Sequence, residues 1–284
     1  MAMLRSSCRF RPALARLNAA EHRPATLRTL LSDIAHATAF LTRLPVPSAA
    51  FGNRPLDFRS CAWAFPIAGV LGCLPAAFLV VSLPAGTSPF LLAVVAVLTT
   101  VVVTGALHED GAADVADGFW GAHEPGRRLE VMRDSRIGTY GTLTLIGLIL
   151  LKVAALTSFT WAGVATIVAA VIGSTVVGKL ALLAHWWSLP PARTEGLSER
   201  FGKPSAGGLF VAVGLGALIV LSLAVGTFGL RTIPALTLGL TFAVILTWLA
   251  RRKVGGRTGD TLGATAIAAE CGFLLGAALP ILAL

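Results

Sequence analysis

Hydrophobic residues gather into seven long runs along the chain, separated by short polar connections. The runs lie at about 61–82, 88–107, 139–158, 160–186, 208–229, 232–250 and 262–283. A helix needs roughly 20 apolar residues to cross the hydrocarbon core of a bilayer, and each run is about that long. The runs are continuous rather than alternating, which argues against a transmembrane β-barrel. The pattern predicts an all-α, polytopic integral membrane helix bundle with about seven transmembrane helices.

The segment before the first run has a helical period instead. Its apolar residues recur on one face between charged positions, which predicts an amphipathic helix over 27–44 at the membrane surface. Pro45 and Pro47 end this helix. Residues 1–28 are rich in arginine with Glu21 as their one acid, and are expected to be a disordered basic extension. Residues 29–284 are expected to form one membrane-embedded domain.

Composition excludes an ordinary water-soluble globule, since 55% of residues are hydrophobic and only 13% are charged. The net charge of +9 would suggest nucleic acid in a soluble protein, but no basic stretch is interleaved with aromatics, so no nucleic-acid binding is expected. The basic residues instead predict orientation. With the N-terminus inside and seven spans, inside segments hold 20 of the 23 lysines and arginines. This places the N-terminus and the loops 108–138, 187–207 and 251–261 in the cytoplasm.

The strongest chemical signal is an acidic segment. Residues 108–138 hold seven of the 14 acids, and Asp110, Asp114 and Asp117 are spaced i, i+4 and i+7. On a helix this spacing forms one narrow stripe. Like charges on one stripe repel, so the spacing favours a bound cation, and carboxylate oxygens suit Mg²⁺ or Mn²⁺. The alternative is a polar helix end at the membrane surface.

Three neighbouring features add candidate residues. Arg133, Asp134 and Arg136 suit a phosphorylated substrate, although a surface ion-pair cluster would look the same. The glycine-rich loop 251–264 leads into the last run, where Arg257 is a candidate phosphate contact and Asp260 a candidate metal ligand. Glu270 lies two turns into that run, where a carboxylate is a functional candidate, or else pairs with Lys152 or Lys179.

The segments LHEDGAADVADGFWGA (107–122), LEVMRDSRIGTYG (129–141) and GGRTGDTLGATAIAAE (255–270) together resemble the cobalamin synthase family. TRLPVP (42–47), FPIAGVLG (65–72) and PPARTEGL (190–197) fit the same pattern in the same order. The match covers roughly residues 30–284. Two positions depart from it: Glu109 stands where the commoner form has leucine, and Lys179 where an arginine is expected.

The resemblance implies a magnesium-dependent enzyme of the bacterial inner membrane. It would join adenosylcobinamide-GDP to α-ribazole, or to its 5′-phosphate, and release GMP. The implied metal ligands are Asp110, Asp114 and Asp117, with Asp134 or Asp260 completing the catalytic set. Arg133, Arg136, Arg257, Thr258 and Glu270 are the implied substrate-binding residues. The expected partners are these two substrates and membrane lipid, with a homo-oligomer or a complex with other cobalamin-assembly enzymes left open.

Two other functions fit parts of the pattern. CDP-alcohol phosphatidyltransferases also cluster aspartates at a membrane face, and Asp114-x2-Asp117-Gly118 matches the start of their motif, but the later G-x3-D-x3-D is missing. A transporter would place charges at the membrane midplane, often in two repeated halves. Here the acids lie mainly in the segments predicted as inner loops, and no internal repeat is visible.

Overall fold

The computed structural model describes residues 26–52, 57–159, 163–193 and 202–279, and these are helical with no strand among them. Most of the basic extension predicted over 1–28 lies outside the described residues. The main helices are α1 (Leu27–Leu41), α2 (Phe65–Ser82), α3 (Pro89–Thr104), α4 (Leu107–Gly121), α5 (Pro125–Val131), α6 (Thr139–Thr157), α7 (Val164–Ser188), α8 (Ala206–Leu223), α9 (Thr232–Val254) and α10 (Gly259–Ala278). Short helical turns at Ser48–Phe51, Phe58–Cys61 and Ala62–Ala64 join α1 to α2.

The prediction of a polytopic membrane bundle is confirmed. Five helical stretches among the described residues are long and apolar enough to cross a membrane, or six if the bent pair α3 and α4 forms one span. One of the five, Ala206–Val254, has 49 residues, which is enough for two passes. It contains both α8 and α9, with a π-helical turn and Gly229 at φ 54° between them. Each of the seven hydrophobic runs thus corresponds to a helix.

The amphipathic helix is confirmed as α1. It begins with a capping box between Thr26 and Thr29 and packs on α2. It ends at Leu41, before the prolines, because the backbone of Thr42 is extended, with φ −140° and ψ 167°. The Thr42 N–H and hydroxyl both donate to the Thr38 carbonyl, the hydroxyl at 2.7 Å. The Arg43 N–H then donates to the Val103 carbonyl at 2.6 Å, which ties this end to α3.

Helix α4 differs from the expected surface loop over 108–138. The chain bends by 86° between α3 and α4, through Gly105 and Ala106 in the left-handed region. Most of α4 is buried, and its neighbours are α10 and α6. The reason is that the acids occupy one stripe, while the remaining positions are mainly small residues that allow close packing. A segment that hydropathy places in solvent is therefore inside the bundle.

Helix α10 is the centre of the bundle, buried on nearly every face and in contact with α4, α6, α7 and α9. Glycines make this possible. A Cβ added at Gly272 would lie 2.6 Å from the Leu238 carbonyl oxygen of α9, and Gly276 is as tightly placed against Pro234. Because α10 is buried on nearly every face, the position of its first turn against α4 is fixed. This first turn forms one wall of the candidate site.

Candidate active site at the junction of two helices

The acidic stripe of α4 lies against the first turn of α10. A Cβ added at Gly111 would lie only 2.8 Å from the carbonyl oxygen of Asp260, and a Cβ added at Gly263 would lie 3.3 Å from the Cα atom of His108. Because both positions are glycine, the two backbones approach closely. The junction therefore brings Asp260 beside the stripe, although about half the chain separates it from Asp114.

Three acids share this junction and are called here the aspartate cluster: Asp110, Asp114 and Asp260. Asp110 is exposed, while Asp114 and Asp260 are half-buried. Asp114 experiences the negative charges of Asp260, Asp110 and Asp117, and the opposing positive charge is that of Arg193. Arg193 and Arg133 also act on Asp260. Among the described residues, neither arginine forms a salt bridge within 4.0 Å with an acid of the aspartate cluster.

Asp117, the third member of the predicted stripe, has turned toward α6. Its two carboxylate oxygens accept the backbone N–H groups of Gly138 at 2.7 Å and Gly141 at 2.9 Å. Gly138 is the N-cap of α6, so the carboxylate satisfies free N–H groups at that helix start and complements its dipole. The carboxylate also fills the space next to both glycines, where no side chain would fit. Asp117 therefore anchors α6 to α4.

Thr258 caps α10 and orients Asp260. Its hydroxyl accepts the Thr261 N–H at 3.1 Å, and its own N–H donates to the Thr261 hydroxyl at 2.8 Å, which is a complete capping box. The same hydroxyl lies 3.3 Å from Asp260 Oδ2. Thr258 is buried, so in this structure its contacts are with the helix start rather than with open space.

Arg257 is also buried, and its guanidinium is used to hold two loops together. It donates to the Leu189 carbonyl and, at 2.9 Å, to the Gly202 carbonyl. Its backbone pairs with the segment 190–192, since the Arg257 N–H donates to the Pro190 carbonyl at 2.8 Å and the Ala192 N–H to the Arg257 carbonyl at 2.9 Å. The predicted phosphate contact by Arg257 stays a prediction, and the observed contacts are structural.

Asp134 and Arg136 pair with each other at the surface, with Arg136 Nη2 at 2.6 Å from Asp134 Oδ2. The hydrogen bonds from Arg136 lower the pKa of Asp134 to about 2, so this carboxylate is ionised at neutral pH. The charges that act on Asp134 are Arg136 and Arg127, not the aspartate cluster. The structure therefore contains the surface ion pair considered from the sequence, and the catalytic role of Asp134 and the substrate contact of Arg136 stay predictions.

Glu270 belongs to a separate group deeper in the bundle, called here the buried ion network: Glu109, Lys152, Lys179 and Glu270. Glu270 Oε2 lies 2.8 Å from Lys152 Nζ, and its Oε1 lies 3.4 Å from Lys179 Nζ. Lys152 also lies 3.9 Å from Glu109, the acid that departs from the family pattern. The sequence left open whether Glu270 serves the site or pairs with Lys152 or Lys179, and it pairs with both.

Sequence reasoning missed Arg193 as a site residue. In the sequence, Arg193 is one of the basic residues that predict the orientation and part of the segment PPARTEGL. The structure places its charge where it acts on both Asp114 and Asp260. Burial lowers the pKa of this guanidinium, and the Asp260 carboxylate opposes that shift. No local spacing signals this position, because Arg193 reaches the cluster through the pairing of its loop with residues 256–257.

The carboxylate oxygens of the aspartate cluster are suitable ligands for a hard divalent cation. Within the described ranges, no three His, Cys, Asp or Glu side chains already converge as a metal site. However, two half-buried carboxylates and one exposed carboxylate repel one another across this junction. Mg²⁺ typically takes one or two protein carboxylates together with substrate phosphates, so a fully formed protein cage is not required. The residues present fit such an ion.

Comparisons with known proteins show the family of the chain. The profile of the family described as cobalamin-5-phosphate synthase matches residues 33–278. An adenosylcobinamide-GDP ribazoletransferase of Sinorhizobium medicae is 40% identical over 268 residues, covering 90% of this chain and 99% of the relative. Its namesake in Rhizobium meliloti is 40% identical over 270 residues, covering 90% and 100%. No solved structure matches. The chain therefore belongs to the cobalamin-5-phosphate synthase family.

Proposed function

We propose that the aspartate cluster, at the junction of α4 and α10, is the active site of this transferase of cobalamin biosynthesis. Its substrates are adenosylcobinamide-GDP and α-ribazole or the 5′-phosphate of α-ribazole. The observation that carries the proposal is the close packing of Gly111 against Asp260, which collects acids from two distant motifs at one place. Relatives that match nine-tenths of the chain carry the name of this activity, which favours it over a CDP-alcohol phosphatidyltransferase or a transporter.

The reaction transfers a substituted phosphate group. A ribose hydroxyl of the acceptor attacks the phosphorus on the cobinamide side of the pyrophosphate, and a new P–O bond forms. The bond to the GMP phosphate breaks, and GMP leaves with that electron pair. A carboxylate of the aspartate cluster takes the hydroxyl proton. Such reactions depend on positioning and on neutralising the charge of the phosphate oxygens rather than on covalent chemistry by the protein.

Asp110, Asp114 and Asp260 would hold Mg²⁺, which neutralises negative charge on the phosphate oxygens when it is bound. The residues themselves support this assignment. Asp114 and Asp260 are half-buried with like charges nearby, and their side chains form no salt bridge within the described residues. Asp117, whose two oxygens accept N–H groups from α6, sets the angle between α4 and α6. Arg133 is exposed and its charge acts on Asp260, which supports a role for it in meeting an incoming phosphate.

The activity is tested by assaying purified protein in lipid nanodiscs for GMP release. Adenosylcobinamide-GDP and α-ribazole are supplied together and singly, with Mg²⁺ present or removed by chelation. We expect GMP only with both substrates and Mg²⁺, and the same dependence with α-ribazole 5′-phosphate. GMP release that needs no acceptor, or that survives chelation unchanged, would contradict the proposed reaction or the proposed metal.

We further propose that the protein lies in the inner membrane and that the aspartate cluster is on its cytoplasmic side. Two exposed positions test this, Ser135 near α5 and Ala85 between α2 and α3. Each is changed to cysteine in a Cys8→Ser background, since Cys61, Cys73 and Cys271 are buried. In intact cells an impermeant thiol reagent should label the cysteine at 85 and reach the one at 135 only after permeabilisation. The reverse pattern would invert the orientation.

A further inference from the structure

We propose that Arg193 binds a phosphate of the GDP-bearing substrate, on the side of the site opposite the aspartate cluster. This inference rests on the proposed function, because it assigns a residue to the same site. The inference also gives Arg193 and Arg257, which lie in paired loops, separate roles. Arg193 meets the substrate, and Arg257 holds the segment that carries Arg193.

The backbone before Arg193 is fixed independently of its side chain. Residues 190–192 pair with Arg257 through two backbone hydrogen bonds of 2.8 and 2.9 Å. Gly256 lies so close to the Pro190 carbonyl oxygen and the Ala192 nitrogen that no Cβ would fit. The Arg257 guanidinium adds contacts with the Leu189 and Gly202 carbonyls. Arg193 therefore extends from a segment that is braced by contacts other than its own side chain.

The Arg193 side chain is only partly used by the protein. Nη2 donates to the Leu129 carbonyl at 2.8 Å, which orients the guanidinium. Its Nε is buried and has no hydrogen-bond partner among the described residues. A buried N–H without an acceptor is costly, and a guanidinium has five such donors in a fixed fork. The donors left over suit a further acceptor, and the proposal assigns that acceptor to the substrate.

The charges around Arg193 identify that acceptor. Asp114 and Asp260 attract the guanidinium and Arg133 repels it, yet neither acid reaches it within salt-bridge distance in the described structure. Because these opposite charges do not pair directly, a ligand that carries both signs suits them, with a cation against the carboxylates and an anion against the guanidinium. A pyrophosphate with its divalent cation has this character, and guanidinium forks match phosphate oxygens in shape.

Arg193→Gln and Arg193→Lys test the inference, with Arg127→Gln as the matched control. Arg127 is exposed and pairs with Glu130 at 2.8 Å on the neighbouring α5. We expect Arg193→Gln to raise the KM for adenosylcobinamide-GDP at least about tenfold, on the scale of losing a charge-assisted hydrogen bond. The KM for α-ribazole and the unfolding temperature should change little. Arg193→Lys should recover part of the affinity, since it keeps the charge and loses the fork, and Arg127→Gln should resemble the wild type.

Three results would overturn the inference while leaving the proposed function intact. The first is an unchanged KM for adenosylcobinamide-GDP in an active Arg193→Gln protein. The second is an equal rise in KM for both substrates. The third is a lowered unfolding temperature with normal KM in the folded fraction, which would make Arg193 a structural residue. If the wild type itself releases no GMP from these substrates, the proposed function fails instead, so the two failures are distinguishable.

Discussion

Helices α4 and α10 supply the acids of two charged groups with opposite properties. In the buried ion network, Glu270 lies 2.8 Å from Lys152 and 3.4 Å from Lys179, so each charge has an opposite neighbour. In the aspartate cluster, the same two helices present Asp110, Asp114 and Asp260, which repel one another with no salt bridge among the described residues. The acids of both groups come from α4 and α10, and the lysines of the network come from α6 and α7.

The difference separates charges that hold the fold from charges that need a ligand. Removing ions from water costs several kcal/mol each, so a buried charge persists where it is paired, as in the network. Like charges that remain unpaired in a partly buried position oppose folding, and a protein retains them where a bound cation offsets the repulsion. On this argument the network is structural and the aspartate cluster is functional. The variants below test that division, from the largest expected effect to the smallest.

Asp114→Asn is expected to lower turnover at least about a hundredfold, on the scale of removing a key electrostatic contributor to a transition state. It should not lower the unfolding temperature, because the change removes one of several mutually repelling charges. GMP release and thermal unfolding in detergent measure the two effects. Glu130→Gln, the same change at an exposed acid, is the control and should behave as the wild type. Near-normal turnover of the Asp114→Asn protein at ordinary Mg²⁺ would make the stripe structural.

Glu270→Gln is expected to have the opposite effects: a lowered unfolding temperature and nearly unchanged turnover per folded molecule. Removing one partner of a buried ion pair typically costs about 3–5 kcal/mol, and here it leaves Lys152 and Lys179 without their shared carboxylate. The measurement is the unfolding temperature together with the yield of folded protein, with turnover expressed per folded molecule. A normal unfolding temperature with a raised KM for either substrate would place Glu270 in the substrate site, as the family resemblance implies.

Gly111→Ala tests the junction that assembles the cluster. The added methyl would meet the Asp260 backbone at 2.8 Å, and backbone has little freedom to yield. Overpacking of this kind costs about 1–3 kcal/mol, and it should also separate Asp114 from Asp260 and reduce turnover. Gly147→Ala is the control within α6, since nothing lies within 4 Å of its added Cβ. Equal behaviour of the two variants would show that the close approach is not needed.

Asp117→Asn is expected to have the smallest effect of these four variants. The amide keeps one acceptor and places its NH₂ against the second N–H donor of the α6 start, which costs about 1–2 kcal/mol. Thermal unfolding measures this cost, and a Mg²⁺ titration of turnover checks the other role predicted for Asp117. An unchanged unfolding temperature with a strongly raised Mg²⁺ requirement would make Asp117 a metal ligand first.

The sequence was sufficient for the helices and for the acidic stripe. Continuous apolar runs and the i, i+4, i+7 spacing are local patterns, so α1, the long helices and the shared face of Asp110 and Asp114 follow directly. The burial of α4 does not follow, because hydropathy averages its acids with small residues that pack against α10. Arg193 could not be found from the sequence, since backbone pairing across distant loops places it.

Three residues with predicted ligand roles also make structural contacts, and their ligand roles stay predictions. Arg257, Thr258 and Asp117 are polar residues beside a glycine-rich loop or on the acidic stripe, which is where ligand contacts are expected. In the structure they brace two loops, cap α10 and cap α6, respectively. A polar residue that binds a ligand and one that braces a helix or loop have the same local sequence pattern, so the sequence could not indicate these structural contacts.

Binding of Mn²⁺, followed by electron paramagnetic resonance in the presence of adenosylcobinamide-GDP, tests the division between the two charge groups most directly. It reports the ion itself and does not depend on turnover. The wild type should bind Mn²⁺ in competition with Mg²⁺. Asp114→Asn and Asp260→Asn should each weaken binding at least about tenfold, while folded Glu109→Gln protein should bind as the wild type does. Wild-type affinity in both aspartate variants, or a loss of affinity in Glu109→Gln alone, would contradict the account.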